Sequence, residues 1–248
     1  MPSFRITVAY DGTDYVGWQR QANGVSIQGL IEDALAKLDG RAVAVAGAGR
    51  TDSGVHALGQ VAAFTLERSI PAEAVVRALN AHLPDAIRVT SADDVPASFH
   101  PRFAAQSKTY RYRILNTEVA SPFERRYAWH VPGALDVAAM NDAARMLEGE
   151  HDFAAFQAAG SDVATTVRHV LTSRMTEIGL LAYEVTGGGF LRHMVRTVVG
   201  TLVEIGRGRR TADSMAHLLV LRDRAHAGPT APALGLFLVG VDYGPVCS

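Results

Sequence analysis

The order in which hydrophobic periodicity changes along the chain constrains its fold more than any other feature. Residues 4–10 (F-R-I-T-V-A-Y) alternate and are rich in β-branched side chains, which predicts a strand. Ile27, Leu30, Ile31, Ala34, Leu35 and Leu38 then keep a helical period, with Ser26 placed to cap the helix and Gly40 to stop it. Residues 42–48 and 59–66 read as two short strands. Pro71 opens a helix to about His82, ended before Pro84, and residues 86–93 read as a further strand. The order is β-α-β-β-α-β.

The second half runs in the same order. Residues 109–115 predict a strand with Tyr110, Tyr112 and Ile114 on one face and Arg111 and Arg113 on the other. Asp136 caps a helix expected to reach about Glu148, with Gly149 past its end. Residues 165–177 and 180–186 form a hairpin about Ile178 and Gly179. A helix is expected over 190–205, a shorter one after Thr211, and a last strand over 235–243. Two β-α-β-β-α-β units predict an α+β protein of two ferredoxin-like halves. Their boundary falls near residues 97–107, giving halves 1–104 and 105–248. The residue sequences of the halves do not visibly repeat, so element order alone carries this expectation.

Composition narrows the class. With 48% hydrophobic residues in 248, a sizeable core is expected and global disorder is not. No run approaches the ~18 consecutive apolar residues of a membrane span. Residues 1–5 lead straight into a strand pattern without a secretory signal, so a cytoplasmic protein is expected. One cysteine, Cys247, excludes an internal disulfide and a multi-cysteine metal site. The histidines show no H-x-x-x-H spacing, and no metal site is expected. Net charge is −1, so any nucleic-acid contact must be local. Two lysines stand against twenty-two arginines. Arginine suits phosphates and base edges, and a GC-rich genome explains the bias equally well.

The segment 49–60 (G-R-T-D-S-G-V-H-A-L-G-Q) holds a carboxylate, Asp52, in a glycine-punctuated loop. A carboxylate can serve as nucleophile or base when it is oriented. Arg50, two residues away, can point to the same side and hold it ionised. Asp52 could equally close an Asx turn on its own backbone, and spacing alone does not choose. Glycines at 187–189 before the helix could bind phosphate or simply turn the chain. Arg192 and Arg196 are expected at i, i+4 on that helix, and Arg196 in its apolar neighbourhood calls for an acceptor, Asp52 being one candidate. Tyr110, bracketed by Lys108, Arg111 and Arg113, suits a splayed-out base; tyrosines on strands also pack as ordinary core. The loop 10–21, which includes Gln19, could contact RNA or pack on itself.

Six segments then match one family in order: Y-D-G-T-D-Y-x-G-W-Q-x-Q (10–21), G-R-T-D-S-G-V-H-A-L-G-Q-V (49–61), K-T-Y-R-Y (108–112), H-D-F-x-A-F (151–156), G-F-L-R-H-M-V-R (189–196) and A-P-A-x-G-L-x-L (231–238). The chain resembles the tRNA pseudouridine synthase A family over nearly its whole length. The resemblance implies two ferredoxin-like halves sharing a continuous mixed sheet, with helices on one side and a central RNA-binding cleft. It implies a homodimer that isomerises uridines at positions 38 to 40 of the tRNA anticodon arm without a cofactor. Asp52 would be the catalytic residue and Arg196 its ion-pair partner. Tyr110 would stack on the target base and, as a second catalytic residue, assist removal of a proton. Leu236 would pack against that base, Arg50 would hold the loop or contact RNA, and Arg192, Lys108 and Gln19 would meet the RNA. Ser53 stands where alanine is common in the family. Two other classes compete: a non-catalytic RNA-binding protein, resting on the arginines and aromatics, and a nucleotide-binding enzyme, resting on the glycine loops.

Overall fold

The structure is a computed structural model that describes residues 1–158, 160 and 163–244; Cys247 lies outside them. In chain order the elements are β1 (Ser3–Tyr10), α1 (Ile27–Asp39), β2 (Ala46–Gly47), β3 (His56–Thr65), α2 (Ala72–His82), β4 (Ile87–Val95), β5 (Ser107–Leu115), β6 (Trp129–His130), α3 (Val137–Arg145), β7 (Gly149–Asp152), β8 (Val167–Ile178), β9 (Leu180–Gly187), α4 (Met194–Gly206), α5 (Ser214–Leu221) and β10 (Leu236–Asp242). The protein is α+β with mixed strand pairing. Contacts divide it into two compact units, Met1–Gln106 with Phe237–Ser248, and Ser107–Leu236.

In the first unit β1 lies between two antiparallel neighbours, β3 and β4. Its alternation is the physical reason: Phe4, Ile6, Val8 and Tyr10 are buried while Arg5, Thr7 and Ala9 are half-exposed. α1 carries the predicted signals. The Ser26 side chain accepts from the Gly29 N–H, and Gly40 takes the left-handed conformation that ends the helix. Ile27, Ile31, Ala34 and Leu35 form its buried stripe. The last strand was expected with the second half. Instead β10 runs parallel to β3, pairing Phe237 with His56 and Leu238 with Ala57, and residues from Phe237 onward belong to the first unit. The strand expected over 42–48 is only the two residues of β2.

In the second unit β5, β9, β8 and β7 form an antiparallel run, with β6 added in parallel to β5. α4 is buried on nearly every side, as its Val-, Leu- and Ile-rich sequence requires. α3 begins on the Asp136 cap but stops at Arg145, short of Glu148. The helix expected from residue 190 begins only at Met194, because His193 sits at φ 62°, which no right-handed helix can include. Arg192 is therefore outside the helix, and the expected i, i+4 pair with Arg196 does not form. The glycines at 187–189 do not open a helix N-terminus either, which removes the structural basis for a phosphate there.

Candidate active site

Asp52 lies half-buried in the loop between β2 and β3, and that loop is fixed at nearly every residue. The Ala48 N–H donates to the Val61 carbonyl at 2.8 Å. The Gln60 amide, fully buried, donates to the Gly49 carbonyl at 2.9 Å. Thr51 is held twice: its hydroxyl shares a 2.8 Å hydrogen bond with the Tyr10 hydroxyl, and its carbonyl accepts from the Trp18 N–H at 3.1 Å. The Val55 N–H donates to the Asp52 carbonyl at 3.2 Å, closing a tight turn. Burial pushes the Tyr10 hydroxyl up to about 12, against the lowering effect of its bonds with Thr51 and Gln60. Tyr10 therefore stays a neutral hydrogen-bonding post.

The polar and aromatic stretch over 10–21 is the buttress of this loop. Ser53 Oγ and the Gly54 N–H both donate to the Tyr15 carbonyl, at 3.1 and 3.4 Å. A Cβ on Gly12 would lie 2.0 Å from the Val55 carbonyl oxygen. Gly17, at φ 103°, would bring one to 2.5 Å from the Thr51 carbonyl oxygen. These glycines are needed for close approach of two backbones. Trp18, 2% exposed, packs against Tyr10 with ring centroids 6.2 Å apart.

His56 closes the far side. Its buried ring stacks on Phe237 at 4.6 Å, and its Nδ1 lies 3.1 Å from both the Gly12 N–H and Asp11 Oδ1. Only one of these can be its hydrogen bond. Asp11 Oδ1 accepts from the Thr13 N–H and hydroxyl, so the histidine, the Gly12 amide and the Asp11 carboxylate form one polar cluster.

Arg50 is exposed, and its Nε donates to Gln19 Oε1 at 3.1 Å. Gln19 in turn donates to Gln28 on α1 at 2.7 Å. Gln19 thus ties the arginine to the helix.

In the second unit Tyr110 is 8% exposed on β5, with the Phe190 ring edge-on at 5.1 Å. The cations expected to flank it for RNA are partly engaged within the fold. Arg111 donates twice to Glu184, at 2.8 and 3.1 Å, and Arg113 once to Glu124 at 2.9 Å. Burial would raise the Glu184 carboxyl, but Arg111 and Arg174 outweigh it and hold the group below its ordinary value. Lys108 is half-buried and pairs with Gly187 in the sheet.

Arg196, half-buried in the first turn of α4, is gripped by the segment that follows α5. Its Nε donates to the Ala231 carbonyl at 2.8 Å, and the Ala231 N–H donates back to the Arg196 carbonyl at 3.0 Å. A Cβ on Gly200 would sit 1.7 Å from the Pro229 carbonyl oxygen, so the segment lies directly on the helix backbone. The Tyr112 hydroxyl donates to the Pro232 carbonyl at 2.8 Å. Burial drives the Tyr112 pKa far up, with the Arg196 charge opposing. These contacts deliver Leu236, 6% exposed, to the start of β10. Arg192 is exposed, and its carbonyl accepts from Ala158.

Asp52, Arg50 and Gln19 therefore share the first unit; Tyr110, Lys108, Arg192, Arg196 and Leu236 belong to the second. Tyr10, Thr51, Trp18, His56 and Gln60 were not singled out from sequence. Their roles are hydrogen bonds across many residues, and only the glycines at 12 and 17 hinted that two loops meet.

The chain itself falls in a known class of protein. A family profile described as tRNA pseudouridine synthase matches residues 6–104 and 143–244, and the chain belongs to that family. It is 50% identical over 244 residues to the tRNA pseudouridine synthase A of Geobacter sulfurreducens, covering 98% of this chain and 100% of that one. It is 47% identical over 246 residues to the enzyme of the same name from Syntrophotalea carbinolica, covering 99% and 98%. Among solved structures, a chain of a Cbf5–Nop10–Gar1 complex matches at 14% identity and a TM-score of 0.32, covering 81% of this chain and 45% of that one.

Proposed function

We propose that the chain converts uridine to pseudouridine at positions 38, 39 and 40 of the tRNA anticodon arm, with Asp52 as the catalytic residue. Membership of the family makes it an isomerase acting on uridine in tRNA. The observation that carries the assignment of Asp52 is the frame around it. Every neighbour from Ala48 to Val55 is tied down, as a positioned carboxylate requires.

The reaction breaks the bond between N1 and C1′, turns the uracil and rejoins it through C5. The base must leave the helical stack, at a cost of roughly a few kcal/mol. On the family pattern Tyr110 stacks on the flipped base, Leu236 packs against it, and Arg196 supplies counter-charge for Asp52. Three routes share this residue set: attack of Asp52 on C1′, addition to C6, or removal of a ribose proton to give a glycal. Arg50, Gln19, Lys108 and Arg192 would contact the RNA; for Gln19 the bond to Arg50 suggests that it acts by orienting that arginine.

We further infer that each half is ferredoxin-like, that the protein is a homodimer, and that it works in the cytoplasm. No helix among the described residues is long and apolar enough to cross a membrane.

The test is tritium release from tRNA labelled at C5 of uracil, because that hydrogen leaves only when the carbon–carbon bond has formed. Wild type should release tritium. Asp52→Asn should lose at least about a thousandfold in rate, with tRNA affinity nearly unchanged. Comparable release by the variant would remove Asp52 from the mechanism. No release by wild type, with tRNA binding intact, would leave an RNA-binding protein.

A further inference from the structure

The turn after β4 presents an aromatic ring that the reaction chemistry does not use. Phe103 is 78% exposed. Single exposed apolar residues are common and by themselves need no explanation. This one stands on a turn held from several sides. The Tyr243 hydroxyl donates to the Pro101 carbonyl at 2.9 Å, and the Tyr243 ring packs on Phe99 at 5.4 Å. The Ala104 N–H donates to the His100 carbonyl at 3.0 Å, and the Arg102 N–H to His100 Nδ1 at 3.2 Å. The Gln106 N–H donates to the Asp242 carbonyl at 2.8 Å, pinning the end of the segment.

The surroundings of the ring are equally specific. The His100 ring lies 4.3 Å from it, centroid to centroid, and the Arg102 guanidinium carbon 6.0 Å from its centroid. An aromatic ring with a second ring against it and a guanidinium over it offers the stacking and the charge that an unpaired nucleobase and its phosphate call for. A net charge of −1 gives the whole protein no general attraction for RNA, so local devices of this kind must provide it.

We propose that Phe103, with His100 and Arg102, is a stacking platform for an unpaired base of the tRNA other than the one isomerised. The proposal rests on tRNA being the substrate. It assigns the platform to holding the RNA, not to the chemistry at Asp52.

The experiment compares wild type with Phe103→Ala, Phe103→Leu and Phe103→Trp. Tritium release should show KM for tRNA raised about tenfold in the Ala and Leu variants with kcat unchanged, and restored to within about twofold by Trp. Leu keeps the apolar bulk without a flat face, so it separates stacking from packing. Tryptophan emission of the Trp variant, after subtraction of the wild-type signal, should be quenched by saturating tRNA. Unchanged KM in Phe103→Ala, or no quenching in Phe103→Trp, would overturn the platform. A shift in sedimentation of Phe103→Ala relative to wild type would assign the ring to contact between copies of this chain, and would overturn it too. If wild type released no tritium, the synthase reading would fail by itself, while quenching would still decide the platform.

Discussion

Thr51 shows how much of the site is built by the residue before the carboxylate. Its hydroxyl meets Tyr10 and its carbonyl meets Trp18, so the backbone entering Asp52 has little freedom. Thr51→Val keeps the shape and removes the hydroxyl, leaving a buried Tyr10 hydroxyl with one partner fewer. Such a loss costs about 1–3 kcal/mol. Melting temperature should fall, and kcat for tritium release should fall with it, while KM for tRNA holds. Normal kcat in a folded Thr51→Val protein would mean that this bond stabilises the loop without aiming Asp52.

Two loops that are far apart in sequence form one element in space. Residues 10–21 and 49–56 interlock through backbone hydrogen bonds, and at Gly12 a Cβ would run into the backbone of the other loop. Gly12→Ala places a methyl group 2.0 Å from the Val55 carbonyl oxygen, and no rotation of a side chain can relieve that clash. Overpacking of this kind costs about 1–3 kcal/mol, occasionally more. Chemical denaturation should show that loss. Hydrogen exchange should show faster opening of the Trp18 and Val55 amides while the β1–β4 amides stay protected. Unaltered exchange at those two amides would refute the interlock. The same contacts explain why a polar, aromatic loop that looked ready for RNA has its backbone turned toward the protein.

Across the whole molecule, buried and half-buried tyrosines contribute to the response to alkali. Tyr10 is held up to about 12, and Tyr112, Tyr183 and Tyr243 are raised further, in each case chiefly by burial. A raised folded value means that the unfolded chain loses its protons first. The stability these groups contribute is complete below about pH 10, the unfolded tyrosine value, and is lost as pH rises through the folded values. For Tyr10 alone that loss is on the order of 2–3 kcal/mol between pH 10 and 12. Melting temperature should fall steeply over this range. Tyr10→Phe, although less stable at neutral pH, should show a shallower fall; an identical slope would remove Tyr10 from the effect.

The sequence by itself determined several of the elements and the family. β1, α1 with its Ser26 and Gly40 ends, and the Asp136 cap follow from local alternation, periodicity and capping, which act over a few residues. The six ordered motifs already carried the family. Tertiary structure alone decided the rest. It shortened β2, returned β10 to the first unit through its pairing with β3, and made the 10–21 loop a buttress. It also began α4 at Met194, where His193 takes a conformation that propensity does not reveal. It placed Arg111 on Glu184 and Arg196 on Ala231. The β10 pairing, the buttress and the two arginine contacts depend on partners tens of residues away, and a one-dimensional pattern does not encode which distant groups will be brought within bonding range.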